Sequence, residues 1–185
     1  MALTYTPPGE LGGKLPNFST PAVSGSTITS KDFSSDKGLL VMFICNHCPY
    51  VVAVEDRIIE LVKEFNGTGI SSIGVCSNDA NDYPEDGFQG LLQRWQEKNY
   101  PFEYLHDESQ KMAKDFGAVC TPDIFLYKND GDGFDLYYRG RIDDSWKDES
   151  KVKTKELKTA MQYLLDGKPA PETQYPSMGC SIKWI

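Results

Sequence analysis

The sequence lacks both a long hydrophobic run and an excess of positive charge. No stretch of its 185 residues approaches the roughly 18 consecutive apolar residues that indicate a membrane span. It has 19 basic against 27 acidic residues, for a net charge of -8. This balance disfavours binding to nucleic acid or to an anionic membrane surface. We therefore expect no nucleic-acid partner and no membrane partner.

The first residues do not have the pattern of a secretory leader, and the cysteines do not form a regular framework. Residues 1–14 contain no basic segment followed by an apolar one. The five cysteines are odd in number and irregularly spaced, which fits reduced or catalytic thiols better than paired extracellular disulfides. These features predict a cytoplasmic protein with reactive or packed thiols.

Length and composition indicate one domain. A hydrophobic content of 39% and a charged content of 25% are ordinary for a globular protein. A chain of this length buries enough surface to form a core without covalent staples. We expect one domain over residues 1–185, including an N-terminal arm at 1–15 and a C-terminal tail at 168–185.

The central motif is Cys45-Asn46-His47-Cys48-Pro49. The apolar run before it, residues 39–44, predicts a strand covered on both faces at the centre of a sheet. The three- and four-residue apolar spacing after it predicts a helix over 48–65. A helix start stabilises a thiolate through unpaired N–H groups and the helix dipole. We therefore expect Cys45 to be exposed and nucleophilic and Cys48 to resolve its disulfides.

The rest of the chain alternates between strand and helix patterns. This order predicts a three-layer α/β sandwich, with a β-hairpin before the motif and an irregular tail from Ala170. Predicted strands lie near residues 70–75, 102–105, 124–127 and 136–138, and predicted helices near 88–95, 109–116 and 157–165.

Two further positions bear on the thiol chemistry. His47 can stabilise a Cys45 thiolate, which makes the disulfide more oxidising. The alternative is an exposed histidine without an electrostatic role. Thr121-Pro122 lies at the entry of a predicted strand, where an X-Pro bond can be cis.

The order of strand, C-x-x-C helix, Thr121-Pro122 and late hairpin resembles the thioredoxin fold. Further segments resemble its redoxin branch, the alkyl hydroperoxide reductase/thiol-specific antioxidant (AhpC/TSA) superfamily. The motif at 45–51 with the ending at 179–184 is similar to small thioredoxin-family proteins. The resemblance implies an α/β/α sandwich with a central mixed sheet, in which Thr121 and Pro122 contact an extended substrate. The redoxin segments are Pro16-Asn17-Phe18, Asp107–Gln110, Phe116-Gly117-Ala118 and Tyr138–Asp144.

The resemblance implies a thiol–disulfide oxidoreductase. Its substrates would be protein or small-molecule disulfides and thiols, attacked through a mixed disulfide on Cys45 that Cys48 resolves. An external thiol would supply the electrons, and no cofactor is expected. Thioredoxins also place a buried acid six residues before the first cysteine, and Leu39 stands there, which leaves the acceptor of the Cys48 proton open.

Two alternatives remain open. One is an antioxidant thiol peroxidase, but the P-x-x-x-T-x-x-C pattern of peroxiredoxins is absent. Set on Cys48 it places Cys45 at the threonine position, and set on Cys45 it places Met42 there. The other is a redox-sensing or metal-carrying adaptor without turnover.

The remaining cysteines have structural interpretations as well as redox ones. Cys76 fits a small buried packing residue. Cys120 either exchanges with Cys45 or packs as a reduced thiol, and Cys180 is either a third redox thiol or part of a docked tail. A zinc site needs two more ligands than Cys45 and Cys48 supply, so we expect no metal.

Overall fold

The computed structural model of the chain describes residues 3–185. No helix in this part of the chain is long and apolar enough to cross a bilayer. The strands are β1 (Leu3–Tyr5), β2 (Ser19–Pro21), β3 (Thr27–Thr29), β4 (Gly38–Phe43), β5 (Ile70–Cys76), β6 (Glu103–His106), β7 (Cys120–Thr121), β8 (Asp123–Asn129), β9 (Phe134–Arg139) and β10 (Met178–Ser181).

Five of these strands form the central mixed sheet, in the order β6-β5-β4-β8-β9. Strand β4 runs parallel to β5 and antiparallel to β8, and β5 runs parallel to β6. Every residue of β4 is buried, because its unbroken apolar sequence suits a strand covered on both faces. The prediction of a central strand before the motif is confirmed.

Helices cover both faces of this sheet. The helices are α1 (Pro49–Val52), α2 (Glu55–Phe65), α3 (Phe88–Lys98), α4 (Lys111–Phe116) and α5 (Glu156–Leu165), with 3-10 turns at Ser30–Phe33, Pro84–Asp86 and Glu149–Lys151. On one face, Leu40 and Met42 pack with apolar residues of α2, α3 and α5. On the other, Val41 and Phe43 pack with α4 and the β2–β3 hairpin. The predicted α/β/α sandwich with its hairpin extension is confirmed.

The helix that follows the motif differs from the prediction. It is two helices, since Ala53 and Val54 separate α1 from α2. Directly after this break, the carboxylate of Glu55 is buried and accepts hydrogen bonds from Arg94 and Tyr100. Apolar spacing could not reveal an inward-facing glutamate. The predicted single helix over 48–65 is therefore interrupted at residues 53 and 54.

The C-terminal tail also differs from the prediction. An irregular segment was expected from Ala170, but β10 lies within it, between β1 and β7 in an antiparallel three-stranded sheet. The N-terminal arm thus pairs with the tail, and the tail pairs with the segment that precedes Pro122. The fold places its own C-terminal strand beside the thiol motif.

Candidate active site

The two motif cysteines lie where β4 passes into α1. Cys48 is the N-cap of α1, and Pro49 occupies the first helical position, where its missing N–H leaves no hydrogen bond unmade. Cys45 precedes the helix, in the loop between β4 and α1. Both are reduced thiols in this structure.

The segment Thr121-Pro122, called the cis-proline segment below, lies just before β8 and contacts both thiols. The Thr121–Pro122 peptide is cis, as predicted. Cys45 Sγ lies 3.3 Å from Thr121 Oγ1, and Cys48 Sγ donates to the Thr121 carbonyl oxygen at 3.1 Å. One threonine therefore contacts two cysteines that lie more than 70 positions away in the sequence.

The predicted exposure of Cys45 was wrong. Cys45 is 2% exposed and Cys48 is 0% exposed. Strand β10 runs along β7, with Cys180 paired to Thr121, and the Cys180 N–H and thiol both hydrogen-bond to Cys48. The thiol pair is thus covered by the chain's own tail.

The hydrogen bonds place the negative charge of the pair on Cys48. Donation from the Cys45 thiol, together with donation from Cys180 and Thr121, lowers the pKa of Cys48 to about 4 against the effect of burial. The Thr121 carbonyl oxygen favours the thiol form, but it is a single acceptor among several donors. Burial raises the pKa of the Cys45 thiol, as do its bond to Cys48 and the charge of Asp86. These directions favour Cys48 as the thiolate of the pair, where the sequence led us to expect Cys45.

A polar cluster formed by Asn46, His47, Asn78 and Asp86 borders Cys45. Asp86 is fully buried. Its carboxylate accepts hydrogen bonds from His47 Nδ1 at 2.5 Å, and from the Asn46 N–H and Asn78 Nδ2 at 2.8 Å. Sequence reasoning missed Asp86, because it stands among several other acidic residues of one loop and only its burial sets it apart.

His47 is held within this cluster on two sides. Its ring is stacked on Tyr83 with centroids 4.1 Å apart, and its side chain is only 7% exposed. Nδ1 faces Asp86, while Nε2 is buried without a hydrogen-bond partner in the structure. His47 is therefore fixed beside the thiols, and the exposed alternative is wrong.

The same cluster provides the donor set that most resembles a metal site. One ligand atom each of Cys45, His47 and Asp86 lies within 4.8 Å of the others, and all three residue types bind zinc. The Asp86 carboxylate, however, already accepts from His47, Asn46 and Asn78. Most of its accepting capacity is thus used by donors of the protein itself.

Cys76 and Cys120 occupy packing positions. Cys76 is fully buried at the end of β5, as predicted. Cys120 is fully buried in β7, and its thiol donates to the Pro122 carbonyl oxygen at 3.6 Å. Burial raises the pKa of both thiols. These surroundings favour the packing interpretation for both.

An aromatic cleft of about 310 Å³ lies beside Pro122. Tyr50 and Trp146 form one part of it, with ring centroids 4.3 Å apart. In another part, the Arg141 guanidinium lies 4.5 Å above the ring of Tyr175. The cleft is also bounded by the tail at Met178.

The sheet, the helix-start thiols and the cis-proline segment define a thioredoxin-fold protein of thiol redox type. Residues 11–132 match the AhpC/TSA family, and the chain belongs to that family. The predicted redoxin resemblance is confirmed.

Solved structures agree with this assignment. The chain is similar to an uncharacterized conserved protein of Geobacillus kaustophilus, at 37% identity and a TM-score of 0.93 over 100% of this chain and 97% of that one. It is also similar to a hypothetical protein of Sinorhizobium meliloti 1021, at 36% identity and a TM-score of 0.92 over 98% of each chain. A putative thioredoxin of Neisseria meningitidis shares the fold, at 20% identity and a TM-score of 0.61 over 84% of this chain and 92% of that one. No curated protein matches the chain.

Proposed function

We propose that this protein exchanges thiols and disulfides through Cys45 and Cys48. The observation that carries the proposal is the contact of Thr121, from the cis-proline segment, with both sulfur atoms. Two adjacent thiols, one favoured as thiolate and one as thiol, are the pair such exchange requires. Protein or small-molecule disulfides and thiols are the proposed substrates, with an external thiol as reductant.

The hydrogen-bond pattern favours Cys48 as the attacking residue. Its thiolate would attack one sulfur of a substrate disulfide, forming a mixed disulfide and releasing the other sulfur as a thiolate. Cys45 would then attack Cys48 Sγ, which releases the second substrate thiolate and leaves a Cys45–Cys48 disulfide. Two electrons pass to the substrate. An external thiol returns them and restores the reduced pair.

We assign His47 the role of accepting the Cys45 proton during this second attack. Asp86 binds Nδ1, which favours the tautomer with its proton on Nδ1 and leaves Nε2 as the acceptor. The polar cluster would thus replace the buried acid that the sequence lacks at Leu39. In this proposal Asp86 is a positioning residue that acts through His47.

Trapping with an insulin disulfide tests whether Cys45 and Cys48 are the reactive residues and which of them attacks the substrate first. The Cys45→Ala/Cys180→Ser double variant should accumulate a mixed disulfide on Cys48, because neither neighbouring thiol remains to resolve it, whereas Cys48→Ala should accumulate none on Cys45. A Cys76→Ala variant, altered at a buried packing thiol, serves as the control. Accumulation only in Cys48→Ala would reverse the order. Failure of the wild-type protein to reduce insulin in the presence of dithiothreitol would refute the function.

A thiol peroxidase is the second candidate. The observation in its favour is a Cys48 thiolate that receives a hydrogen bond from Cys45, the residue at the position of the peroxiredoxin threonine. Hydrogen peroxide consumption with a thiol donor, followed by mass detection of a Cys48 sulfenic acid, tests it. Rapid peroxide consumption with no insulin reduction would make this the better assignment.

A further inference from the structure

Strand β10 occupies the edge at which the resemblance to the thioredoxin fold implies an extended substrate. It pairs antiparallel with β7, so that Cys180 lies opposite Thr121 and Ser181 opposite Cys120. A substrate strand at this edge would form the same backbone hydrogen bonds. The tail therefore has the position and direction of a bound substrate.

The approach of β10 to the cis-proline segment is unusually close. A Cβ atom at Gly179 would lie 1.9 Å from the Thr121 carbonyl oxygen, so only glycine fits there. One residue before β10, Ser177 Oγ donates to the Pro122 carbonyl oxygen at 2.7 Å. Beyond β10, the Lys183 N–H donates to Asn78 Oδ1 at 2.8 Å. Hydrogen bonds therefore hold the strand in place on both sides of Cys180.

This docking brings a third thiol to the reactive pair. Cys180 is buried, and its thiol hydrogen-bonds to Cys48. Cys48 thus lies between Cys45 and Cys180, with a hydrogen bond to each. We propose that the tail is an internal substrate, and that Cys180 exchanges with the Cys45–Cys48 disulfide to give a Cys48–Cys180 disulfide.

The exchange balances without a further oxidant. The Cys180 sulfur attacks Cys48 Sγ, a Cys48–Cys180 bond forms, and the Cys45–Cys48 bond breaks. Cys45 leaves as a thiolate and takes up the proton that Cys180 loses. The oxidation state of the protein is unchanged, and the starting disulfide is the product of the proposed function, on which this inference rests.

The consequence is a covered edge in the oxidised protein. A covalent bond from Cys48 to Cys180 would hold β10 on β7 and keep external strands from Thr121. Reduction of that bond by an external thiol would leave β10 held on β7 by hydrogen bonds alone, so that an external strand could displace it. The tail would therefore link access of the substrate to the redox state of the protein.

Disulfide mapping tests this directly. The full chain is oxidised with oxidised glutathione, quenched with acid, alkylated and digested, and its disulfide-linked peptides are identified by mass. The wild-type protein should contain a Cys48–Cys180 linkage with alkylated Cys45. In Cys180→Ser this linkage should be lost and Cys45–Cys48 should accumulate, while the control Cys120→Ser, on the adjacent strand, should retain the wild-type pattern.

Insulin reduction, measured in parallel, separates this inference from the proposed function. Only a Cys45–Cys48 bond in oxidised wild-type protein, together with normal insulin reduction, would overturn the internal substrate and leave the function intact. A Cys48–Cys180 bond in a protein that cannot reduce insulin would support the internal exchange and refute the function.

Discussion

The two sides of the thiol pair differ in how they act on it. On one side, the polar cluster places the buried Asp86 carboxylate near Cys45. On the other, the cis-proline segment and β10 present a hydroxyl, a backbone N–H and a second thiol to Cys48. A negative charge favours the protonated form of a nearby thiol, and hydrogen-bond donors favour the thiolate.

This difference shifts the pKa values of two chemically identical residues in opposite directions. The pKa of Cys45 is raised and that of Cys48 is lowered, although both side chains are almost fully buried. Burial alone would raise both values. At Cys48 the hydrogen-bond donors outweigh burial, whereas at Cys45 burial, the bond to Cys48 and the Asp86 charge all act in the same direction.

Removal of the carboxylate should give the largest effect. Asp86→Ala leaves the Asn46 N–H, the Asn78 amide and His47 Nδ1 without their acceptor, and an unsatisfied buried group costs about 1–3 kcal/mol. We expect a loss of about 3 kcal/mol or more in the free energy of unfolding, measured in urea. The pKa of Cys45 should fall, because a charge that raises it is gone.

Asp82→Ala is the matched control, because Asp82 is an exposed acid of the same loop. It should change the free energy of unfolding by no more than about 0.5 kcal/mol. Equal losses in the two variants would show that the polar cluster does not organise this side of the site.

Adding one methyl group at Gly179 should disturb the opposite side of the thiol pair, where β10 packs. In Gly179→Ala, the new Cβ meets the Thr121 carbonyl oxygen, so β10 must move away from β7. Overpacking of this kind costs about 1–3 kcal/mol. We expect that loss in urea unfolding, together with faster alkylation of Cys48 as the strand separates.

Ser181→Ala alters the same strand without adding an atom. In this variant Cys48 should be alkylated at the wild-type rate. A Gly179→Ala protein with wild-type stability and wild-type Cys48 protection would show that the close approach of β10 does not cover the pair.

The same contrast explains what sequence reasoning found and missed. The strand over 39–44 was predictable because an apolar run is a local signal, and the cis peptide at Thr121-Pro122 followed from the resemblance to the thioredoxin fold. Asp86 was not, because its burial depends on α3, the motif loop and Asn78 coming together. The thiols themselves were found, but their relative acidity was not.

Strand β10 shows a second limit of local signals. The strand has the sequence Met178-Gly179-Cys180-Ser181, which contains no β-branched residue and follows Pro176. Local sequence signals therefore predict an irregular segment here. The residues paired with β10 lie 59 or more positions away, at Leu3–Tyr5 and Cys120–Thr121. Pairing over such separations is set by the tertiary fold, and the exposure of Cys45 was mispredicted for the same reason.

The smallest expected effect concerns the Cys45–Cys48 hydrogen bond itself. A hydrogen bond to a charged group contributes about 1.5–3 kcal/mol, and 1.36 kcal/mol corresponds to one pKa unit. Cys45→Ala should therefore raise the pKa of Cys48 by about one unit or more, as followed by ultraviolet thiolate absorbance. Cys76→Ala should leave the titration of Cys48 unchanged, and an unshifted Cys45→Ala curve would assign the thiolate to the donors of β10 and Thr121 alone.

The same thiolate should make stability depend on pH. The pKa of Cys48 is lowered from its usual value of 9.0 to about 4 in the folded protein, so between these values the unfolded state holds a proton that the folded state has released. Stability from this group is then fully present above about pH 9 and is lost as the pH falls through about 4. Urea unfolding from pH 5 to 8 should show a steeper rise of stability with pH for the wild-type protein than for Cys48→Ala. Parallel curves would mean that Cys48 is protonated in the fold, and the charge asymmetry between the two sides of the pair would then be lost.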